Sequence, residues 1–422
     1  DIEMPTKGCY FPPTLITEMG PSASLMQEEI FGPVLVSTTF RTPKEAIALA
    51  NNSRYGLAAS IWTENINLAL DIAPKIECGV VWINSVNQFD AAAGFGGRRE
   101  SGFGREGGAE GLLAYVKPKS KTAELKKQKR YKRSTTKSNT LGSLDKTLKL
   151  YIGGKQVRPD SGYSKAVFGP KGIISHIGDG NRKDIRNAVS AASKASSWGS
   201  QSGHGRAQII YFLAENLSVR ESEWTQRLET LCGVTKKQAK TEFDESVSRL
   251  FSYAAWADKY DGAVHNAPYR GITMALPEPI GVLAQIAPEE LPLLTSISLI
   301  APAIAMGNRV VLVPSEQFAS VALELVQIIE TSDVPAGVIN IVSGNKRELA
   351  EQIAGHAEID GTWCWADKAT IASIESISAI DLKRLWVHED NDRDWLDSDQ
   401  GESLEFLRNA TEVKNIWTPY GD

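Results

Sequence analysis

The sequence predicts an α/β fold in which helices flank parallel sheets. A short apolar run, Gly281 to Ala287, is followed by an apolar stretch of helical length, Leu293 to Met306, and then by a second apolar run, Val310 to Val313. A strand, a helix and a strand in this order form a parallel pair with a right-handed crossover, and ligands bind beyond the carboxyl ends of such strands. The sequence therefore predicts a ligand-facing rim at Pro288 to Pro292 and Val313 to Glu316.

The first 118 residues alternate between strand and helix patterns in the same way. The predicted strands are Val34–Phe40, Ala58–Trp62 and Gly79–Asn84, and the predicted helices are Pro43–Asn51 and Asn65–Ile76. Frequent glycines from Gly94 to Gly111 argue against a helix interior and indicate a closely packed loop. The GxGR sequence at Gly102 lacks a preceding strand, so it is not interpreted as a phosphate-binding loop.

Residues 148–422 begin with a short strand pair, and amphipathic helices follow before the strand, helix and strand described above. The predicted helices are Asp184–Trp198, Arg206–Arg220, Glu221–Cys232 and Thr241–Tyr260. Lys414 to Tyr420 is predicted to be a closing edge strand. The acidic, Trp-containing segment from Asp390 to Glu405 is expected to be exposed.

The composition is that of a globular protein: 422 residues, 42% hydrophobic and 23% charged, enough for two or three domains. The longest apolar run is shorter than the ~20 residues that span a bilayer, so no membrane partner is expected. His176, His204 and His265 lack metal-ligand spacing, and no metal site is predicted. The few, widely separated cysteines fit a reducing, cytoplasmic compartment. No signal peptide follows Asp1, and we expect the chain to begin inside a longer protein.

The composition changes between Lys117 and Lys149, where twelve Lys or Arg residues stand against Glu124 and Asp145. This segment carries a formal charge of +10, and the remainder carries −15. The run KKQKRYKR is typical of a nuclear-localisation or nucleic-acid patch, whereas STTKSNTLGS has linker composition. Because aromatic stacking platforms and a basic fold face are missing, residues 119–147 are interpreted as a basic linker and no nucleic-acid partner is expected. Binding of this arm to the chain's own acidic surfaces is an alternative.

Several motifs resemble the aldehyde dehydrogenase superfamily. PEPIGVLAQIAPEELPLL and LIAPAIAMGNRVVLVPSE are similar to its coenzyme-binding domain, and VPAGVINIVSG is similar to the next strand of that domain. GCYFPPT, EEIFGPV, GVVWIN and FGGRRESGFGREGG are similar to the closing half of its catalytic domain, and LYIGGKQVRPDSG to its opening strands. The resemblance implies Rossmann-like parallel sheets with flanking helices of the aldehyde dehydrogenase type, and oxidation of aldehydes with NAD.

The resemblance also implies roles for three residues of the first block. Glu29 would hold the hydroxyls of the nicotinamide ribose, and Phe31 would pack beside the nicotinamide ring. A carboxylate can accept from both hydroxyls of a diol at once, which suits the first of these roles. Phe89 matches an aromatic residue of the substrate tunnel. The alternatives are that Glu29 caps a turn, that Phe31 is a core residue and that Phe89 anchors the glycine-rich loop.

The second block departs from the family at positions that carry chemistry. The rim turn Pro-Trp-Asn, whose Asn donates to the oxyanion, reads Pro-Glu-Glu at Pro288 to Glu290. Val313 stands where a Lys holds the adenosine ribose, and Asp367 replaces a small residue near the diphosphate, where like charges repel. His388 stands at the position of the general-base Glu and could act as a base on pKa grounds.

No residue is identified as the catalytic nucleophile. The family's Gly-Gln-x-Cys segment is absent from all 422 residues, and a reactive thiol needs an electropositive pocket that lowers its pKa. None of the four cysteines has the nucleophile context: Cys9, Cys78, Cys232 and Cys364. We assign no catalytic residue and predict that this chain alone is inactive.

The blocks fit three parts: the closing half of a catalytic domain at 1–118, a basic linker at 119–147, and a truncated second module with a degenerate coenzyme domain at 148–422. This order is similar to family 16 of the superfamily, and the chain would be its carboxyl-terminal portion. The intact parent is expected to use NAD, and no cofactor is expected for residues 148–422. One alternative is a pseudoenzyme or assembly module. Another is a circularly permuted single domain, which would still lack the nucleophile segment. The expected partners are the chain's own first module and further copies of the chain.

Overall fold

The computed structural model of the protein describes residues 4–116, 147–169, 172–268 and 270–420. The linker predicted at 119–147 lies outside these residues apart from Thr147. Within the described ranges, no helix is both long and apolar enough to cross a bilayer. Contacts divide the chain into two compact units. Among the described residues, the first unit comprises 4–116, Ala263–Leu276 and 413–420, and the second comprises 147–262 and Pro277–Glu412.

The three strands and two helices predicted for the first block are present, with changes in length, and the block also contains elements that were not predicted. In chain order its elements are β1 (Thr14–Ile16), α1 (Ser24–Gln27), β2 (Val34–Val36), α2 (Pro43–Asn51), β3 (Tyr55–Gly56), β4 (Ala58–Ile61), α3 (Ile66–Ile72), β5 (Val80–Ile83), β6 (Arg98–Arg99) and α4 (Gly108–Leu113). The last of these begins inside the stretch that was predicted to be a glycine-rich loop. A 3-10 turn, Ala73–Lys75, extends α3. The start of α2 follows from its sequence. The Thr42 side chain accepts from the Glu45 N–H, and Pro43 has no backbone N–H that would be left unpaired in the first turn.

The second block contains the remaining elements, and its four predicted helices are confirmed. The early elements are β7 (Thr147–Leu148), β8 (Leu150–Ile152), β9 (Lys155–Val157), β10 (Ser164–Gly169), β11 (Gly172–Gly178), α5 (Arg182–Lys194), α6 (Ser197–Ser200), α7 (Gly203–Ser218), α8 (Glu221–Cys232), α9 (Lys236–Trp256), β12 (Ala263–His265) and β13 (Gly271–Pro279). The later elements are β14 (Val282–Ile286), α10 (Pro292–Ala305), β15 (Arg309–Val313), α11 (Ala319–Glu324), α12 (Val326–Glu330), β16 (Ile339–Ile341), α13 (Lys346–Ala354), β17 (Gly361–Ala366), α14 (Lys368–Ser378), β18 (Arg384–Glu389), α15 (Ser398–Gly401), α16 (Leu404–Asn409) and β19 (Thr411–Pro419).

The second unit is built on a seven-stranded sheet in the order β18-β17-β14-β15-β16-β8-β9. The pairs from β18 to β16 are parallel, and β8 and β9 add antiparallel strands at one edge. The central pair, β14 and β15, is joined by α10, and every residue of α10 is buried. Strands covered on both faces need continuous apolar runs, which is the pattern seen in the sequence. The structure therefore confirms the α/β class with flanking helices.

Asn308 fixes the turn between α10 and β15. Its side chain accepts from the Gly281 N–H at 2.9 Å and donates to the carbonyls of Ala303 and Ala410 at 3.0 and 2.7 Å. The preceding Gly307 has φ +92°, a conformation that glycine adopts without steric cost. The buried Asn308 amide thus joins the end of α10 to the residue before β14 and to the residue before β19.

The first unit contains a five-stranded sheet in the order β12-β13-β19-β5-β4. β19 pairs in parallel with β5, and Ile416 lies opposite Val81 in a core that also holds Ile83 and Ala69. The prediction that Lys414–Tyr420 forms an edge strand is therefore wrong. The strand is interior because the fully buried β5 needs a partner on each side, and local sequence does not reveal such a distant pairing.

The expectation that residues 390–405 are exposed is wrong for their two largest side chains. Trp395 is fully buried, and Arg393 is 8% exposed. The Arg393 guanidinium lies 5.9 Å from the Trp395 ring centre and 5.0 Å from that of Phe406, both within cation–π range. These residues cover the aromatic face of β17 and β18, which explains their burial despite the acidic composition of the segment.

Candidate functional site

The candidate site is the rim of the seven-stranded sheet, where the parallel strands end. Glu289, Ser315, Asp367 and Asp390 lie in the turns after β14, β15, β17 and β18, and Lys346 is the first residue of α13, which follows β16. Carboxyl ends of parallel strands lie at one edge, which is the usual ligand position in such sheets. The structure therefore brings together polar residues from the segments that follow five separate strands.

Glu289 is held by four donors. Its carboxylate accepts from Ser315 Oγ at 2.7 Å and from the backbone N–H groups of Glu316 and Gln317 at 3.1 and 3.0 Å. Lys346 Nζ lies 3.4 Å from the same carboxylate. Burial acts to raise the pKa of Glu289, but Lys346 and the three hydrogen bonds outweigh it, so the pKa lies below its ordinary value. The group is therefore a carboxylate at neutral pH.

Lys346 is the centre of this network. It is 8% exposed, and its ammonium lies 3.0 Å from Asp390 Oδ1 in addition to its contact with Glu289. Its backbone N–H donates to Glu316 Oε2 at 3.0 Å, and the other oxygen of Glu316 lies 3.7 Å from Lys165. Burial raises the pKa of Asp390, and the nearby Lys346 offsets only part of that rise. The rim is thus occupied by the chain's own ion pairs.

Asp367 occupies the N-terminus of α14. Its carboxylate accepts from the backbone N–H groups of Ala369 and Thr370 at 2.9 and 3.0 Å, and from Thr370 Oγ1 at 2.9 Å. Hydrogen bonds from Thr370 are the main reason that the pKa of Asp367 is lowered. The first-turn N–H groups that would approach a diphosphate therefore already have an anionic partner.

His388 and Cys364 do not form a nucleophile and base pair. His388 lies opposite Trp365 in the strand register, and its ring stacks on that indole at 5.2 Å between ring centres. Cys364 lies opposite Val387, and neighbouring strand residues point to opposite faces of a sheet. Burial raises the pKa of the Cys364 thiol to about 12 and lowers the pKa of His388, whose Nδ1 lies 3.2 Å from Asp392. Cys364 is therefore an unreactive thiol.

The three site residues predicted in the first block lie at the surface. Glu29 is exposed, Phe31 is 92% exposed with φ +52°, and Phe89 is 58% exposed. Phe89 packs edge-on against Trp82 at 5.9 Å and contacts Phe95 at 4.8 Å. Within the described part of the chain, no hydrogen bond or ring contact joins Glu29 or Phe31 to Phe89. Each side chain is open to a binding partner.

β1 and β2 form an exposed pair that the sequence patterns did not single out as a surface. The two strands are parallel, and Leu15 and Leu35 lie opposite each other with 62% and 66% of their surfaces exposed. Parallel strands are normally buried on both faces. The two strands therefore present apolar surface of the kind that another structural element usually covers.

The rim network also escaped sequence analysis. Lys346 directly follows the cap residue Asn345 after β16, and a Lys so close to a strand end was the available signal. Its partner Glu289 lies two strands away in the sheet, so no local pattern connects the two. Among the described residues, no group of three or more His, Cys, Asp or Glu side chains is placed to hold a metal ion.

Comparisons with known proteins match this chain to one family. The model of the aldehyde dehydrogenase family matches residues 2–121 and 165–388. A putative aldehyde dehydrogenase of Bacillus subtilis is 45% identical over 113 residues, which are 27% of this chain and 23% of that protein. Betaine aldehyde dehydrogenase of Bacillus subtilis is 32% identical over 218 residues, which are 50% of this chain and 44% of that protein.

Solved structures give the same result for the fold. A putative aldehyde dehydrogenase from Burkholderia cenocepacia has a TM-score of 0.56 and 26% identity, over 57% of this chain and 50% of that chain. The NAD-dependent aldehyde dehydrogenase from Sinorhizobium meliloti has a TM-score of 0.56 at 24% identity, over 58% and 50%, and supports the fold alone. This chain therefore spans about half, or less, of the relatives that it matches.

Proposed function

Because the chain belongs to the aldehyde dehydrogenase family, we propose that it is part of a protein that oxidises aldehydes to carboxylic acids with NAD, and that this chain alone is inactive. Oxidation of this kind begins when a thiolate adds to the aldehyde carbonyl. Three of the four cysteines are buried, and burial raises the pKa of Cys232 and Cys364. The exposed Cys9 lies in GCYFPPT and lacks the nucleophile sequence.

The observation that carries the proposal for residues 148–422 is the occupied rim. A coenzyme there would need donors for its phosphates and ribose, but the Lys346 ammonium is already paired with both Glu289 and Asp390. Val313 offers no hydrogen bond to a ribose, and Asp367 holds the N-terminus of α14. In our proposal this sheet keeps the coenzyme-domain fold, does not bind NAD and takes no other cofactor.

Within the first block, we assign the coenzyme contacts of the parent protein to Glu29 and Phe31, and a substrate-tunnel role to Phe89. The backbone of Phe31 is left-handed, which costs a bulky residue of order 1–3 kcal/mol and is retained mostly where it serves a site. The ring is also almost fully exposed, so it is available to stack on a flat ligand. Both features favour the nicotinamide role over a core role.

The arrangement of modules remains part of this proposal. We assign residues 1–118, 119–147 and 148–422 to a catalytic half, a linker and a truncated second module, as in family 16, with the chain as a carboxyl-terminal portion. The exposed β1 and β2 pair supports this assignment, because parallel strands are normally buried and the other half of the catalytic domain would cover them. We also propose that the protein is cytoplasmic and forms a homo-oligomer.

A second candidate function is an assembly module, and the five-stranded sheet favours it. Three strands of the second block, β12, β13 and β19, extend the sheet begun by β4 and β5 of the first block. The buried Asn415 side chain donates to the Gly94 carbonyl at 2.8 Å, which ties β19 to the glycine-rich loop. In this role the second block stabilises its own first module and contributes no chemistry.

An aldehyde oxidation assay tests the proposal for the chain alone. The purified chain is incubated with NAD and a panel of short and aromatic aldehydes, and the absorbance of NADH is followed. We expect no turnover above the rate without protein. Turnover that is abolished by replacing any one of the four cysteines with Ala would show that the chain carries its own nucleophile.

A further inference from the structure

The carboxylate of Glu289 is bound in the way that proteins bind a small anionic ligand. Its four donors are the Ser315 hydroxyl, the N–H groups of Glu316 and Gln317, and the Lys346 ammonium, at 2.7, 3.1, 3.0 and 3.4 Å. They belong to the turn after β15 and to the first residue of α13, and Glu289 itself lies in the turn after β14. The donors and the anion thus come from two separate turns and the start of a helix.

We propose that the turn Ser315 to Gln317 and the Lys346 ammonium form a binding site for a small monocarboxylate, and that Glu289 of the same chain occupies it. Consecutive backbone N–H groups, a hydroxyl and an ammonium are a donor set that suits a carboxylate. The inference deepens the proposed function, because an anion site that is already filled cannot receive the phosphate of a coenzyme.

The surrounding charges select a monoanion. Asp390 Oδ1 lies 3.0 Å from Lys346 Nζ, and Glu316 Oε2 accepts from the Lys346 N–H, so two further carboxylates border the site. A phosphate dianion would add repulsion from both, whereas a carboxylate restores the charge that Glu289 supplies. The site is therefore expected to prefer acetate to inorganic phosphate.

Removing the side chain of Glu289 provides the test. Glu289→Ala removes the carboxylate that acetate would replace and leaves only a methyl group, while Glu289→Gln keeps a side chain of the same shape in the site. Thermal unfolding of the full chain is measured against sodium acetate, with sodium chloride keeping the ionic strength constant. We expect a saturable rise of about 3 °C for Glu289→Ala near ten times the acetate Kd.

Three controls define the specificity of this rise. The wild type and Glu289→Gln should show no saturable response to acetate, because their sites remain filled. Glu348→Ala removes an exposed carboxylate from the first turn of α13, and it should behave as the wild type does. Adding Ser315→Ala to Glu289→Ala should weaken acetate binding about tenfold or more, as expected for one hydrogen bond to a charged group.

Two results would overturn the proposal. One is an acetate response of Glu289→Ala that matches that of Glu348→Ala. The other concerns the case in which Glu289→Ala is unfolded without acetate. The proposal then predicts that acetate restores the near-ultraviolet circular dichroism of the variant. An unchanged spectrum in acetate would contradict the site. NAD binding that persists in Glu29→Ala would contradict the proposed function of the second block without affecting these acetate measurements, so the two ideas can fail separately.

Discussion

The Lys346 ammonium lies 3.0 Å from the Asp390 carboxylate, so a buried cation at the start of α13 meets the turn that follows β18. β18 is the edge strand, and it is separated from β16, which precedes α13, by three other strands. This contact therefore joins the segment that follows β16 to the segment that follows the edge strand. Together with Glu289, it closes the surface at which a coenzyme of this fold would lie.

Lys346→Met is expected to destabilise the second unit by about 1.5–3 kcal/mol, the range for losing a hydrogen bond to a charged group. The change leaves Glu289 and Asp390 next to each other without a cation. Urea unfolding followed by Trp fluorescence measures the difference. Lys368→Met is the matched control, because Lys368 is 81% exposed beside Glu389, and its effect should stay below about 0.5 kcal/mol. Equal effects of the two changes would show that the rim network contributes little.

Stability is expected to fall as the pH drops below about 6.5, in part because of His388. Burial lowers the pKa of His388 below its ordinary value of 6.5, so the folded state favours the neutral ring and the unfolded state binds the proton more readily. The contribution of His388 is thus fully present above pH 6.5 and is lost as the pH falls toward the lowered value.

His388→Phe retains a ring to stack on Trp365 and removes the titrating group. Its stability should decline less between pH 7 and pH 5 than that of the wild type, in urea titrations at each pH. His204→Ala is the control for the loss of an exposed His, since His204 is 71% exposed, and its stability at pH 7 should lie within about 0.5 kcal/mol of that of the wild type. A His388→Phe profile parallel to that of the wild type would contradict the assignment. Burial also lowers the pKa of His356, but His356 is present in the wild type and in both variants, so it does not affect the comparison.

Ile416→Ala is expected to destabilise the first unit by about 2–5 kcal/mol, because it opens a cavity between β19 and β5. Ile416 is 1% exposed and lies opposite Val81. Val264→Ala serves as the control on the edge strand β12, where Val264 is 72% exposed, and should change stability by less than about 0.5 kcal/mol. Thermal unfolding of both variants provides the comparison. A loss for Ile416→Ala no greater than for Val264→Ala would mean that β19 does not hold this sheet together.

Local patterns predicted the longest helices, which are α5, α7, α8, α9 and α10, because apolar spacing and caps act over a few residues. The strand, helix and strand from β14 to β15 follow from continuous apolar runs, and the start of α2 follows from Thr42 and Pro43. The position of β19 between β13 and β5 did not follow, because strand order depends on pairing partners that are far apart in sequence.

The sequence predicted the position of the candidate site in the fold, but it did not predict which residues contact one another there. The rim at Pro288–Pro292 and Val313–Glu316 was expected from the strand ends, and the loss of a hydrogen-bonding residue at Val313 was visible in the sequence. The role of Glu289 was not, because its donors come from the turn after β15 and from α13. Asp367 was expected to repel a diphosphate, and the structure adds that it caps α14.

Calorimetric titration of the full chain with NAD tests most directly the claim that the second coenzyme-type sheet does not bind the coenzyme. Loss of one hydrogen bond to a charged group lowers affinity about ten- to a hundredfold, and the occupied rim removes more than one such contact. We predict no binding tighter than roughly 1 mM. A micromolar Kd that persists in Glu29→Ala, a variant that removes the proposed coenzyme contact of the first block, would place NAD on the second block and contradict the account.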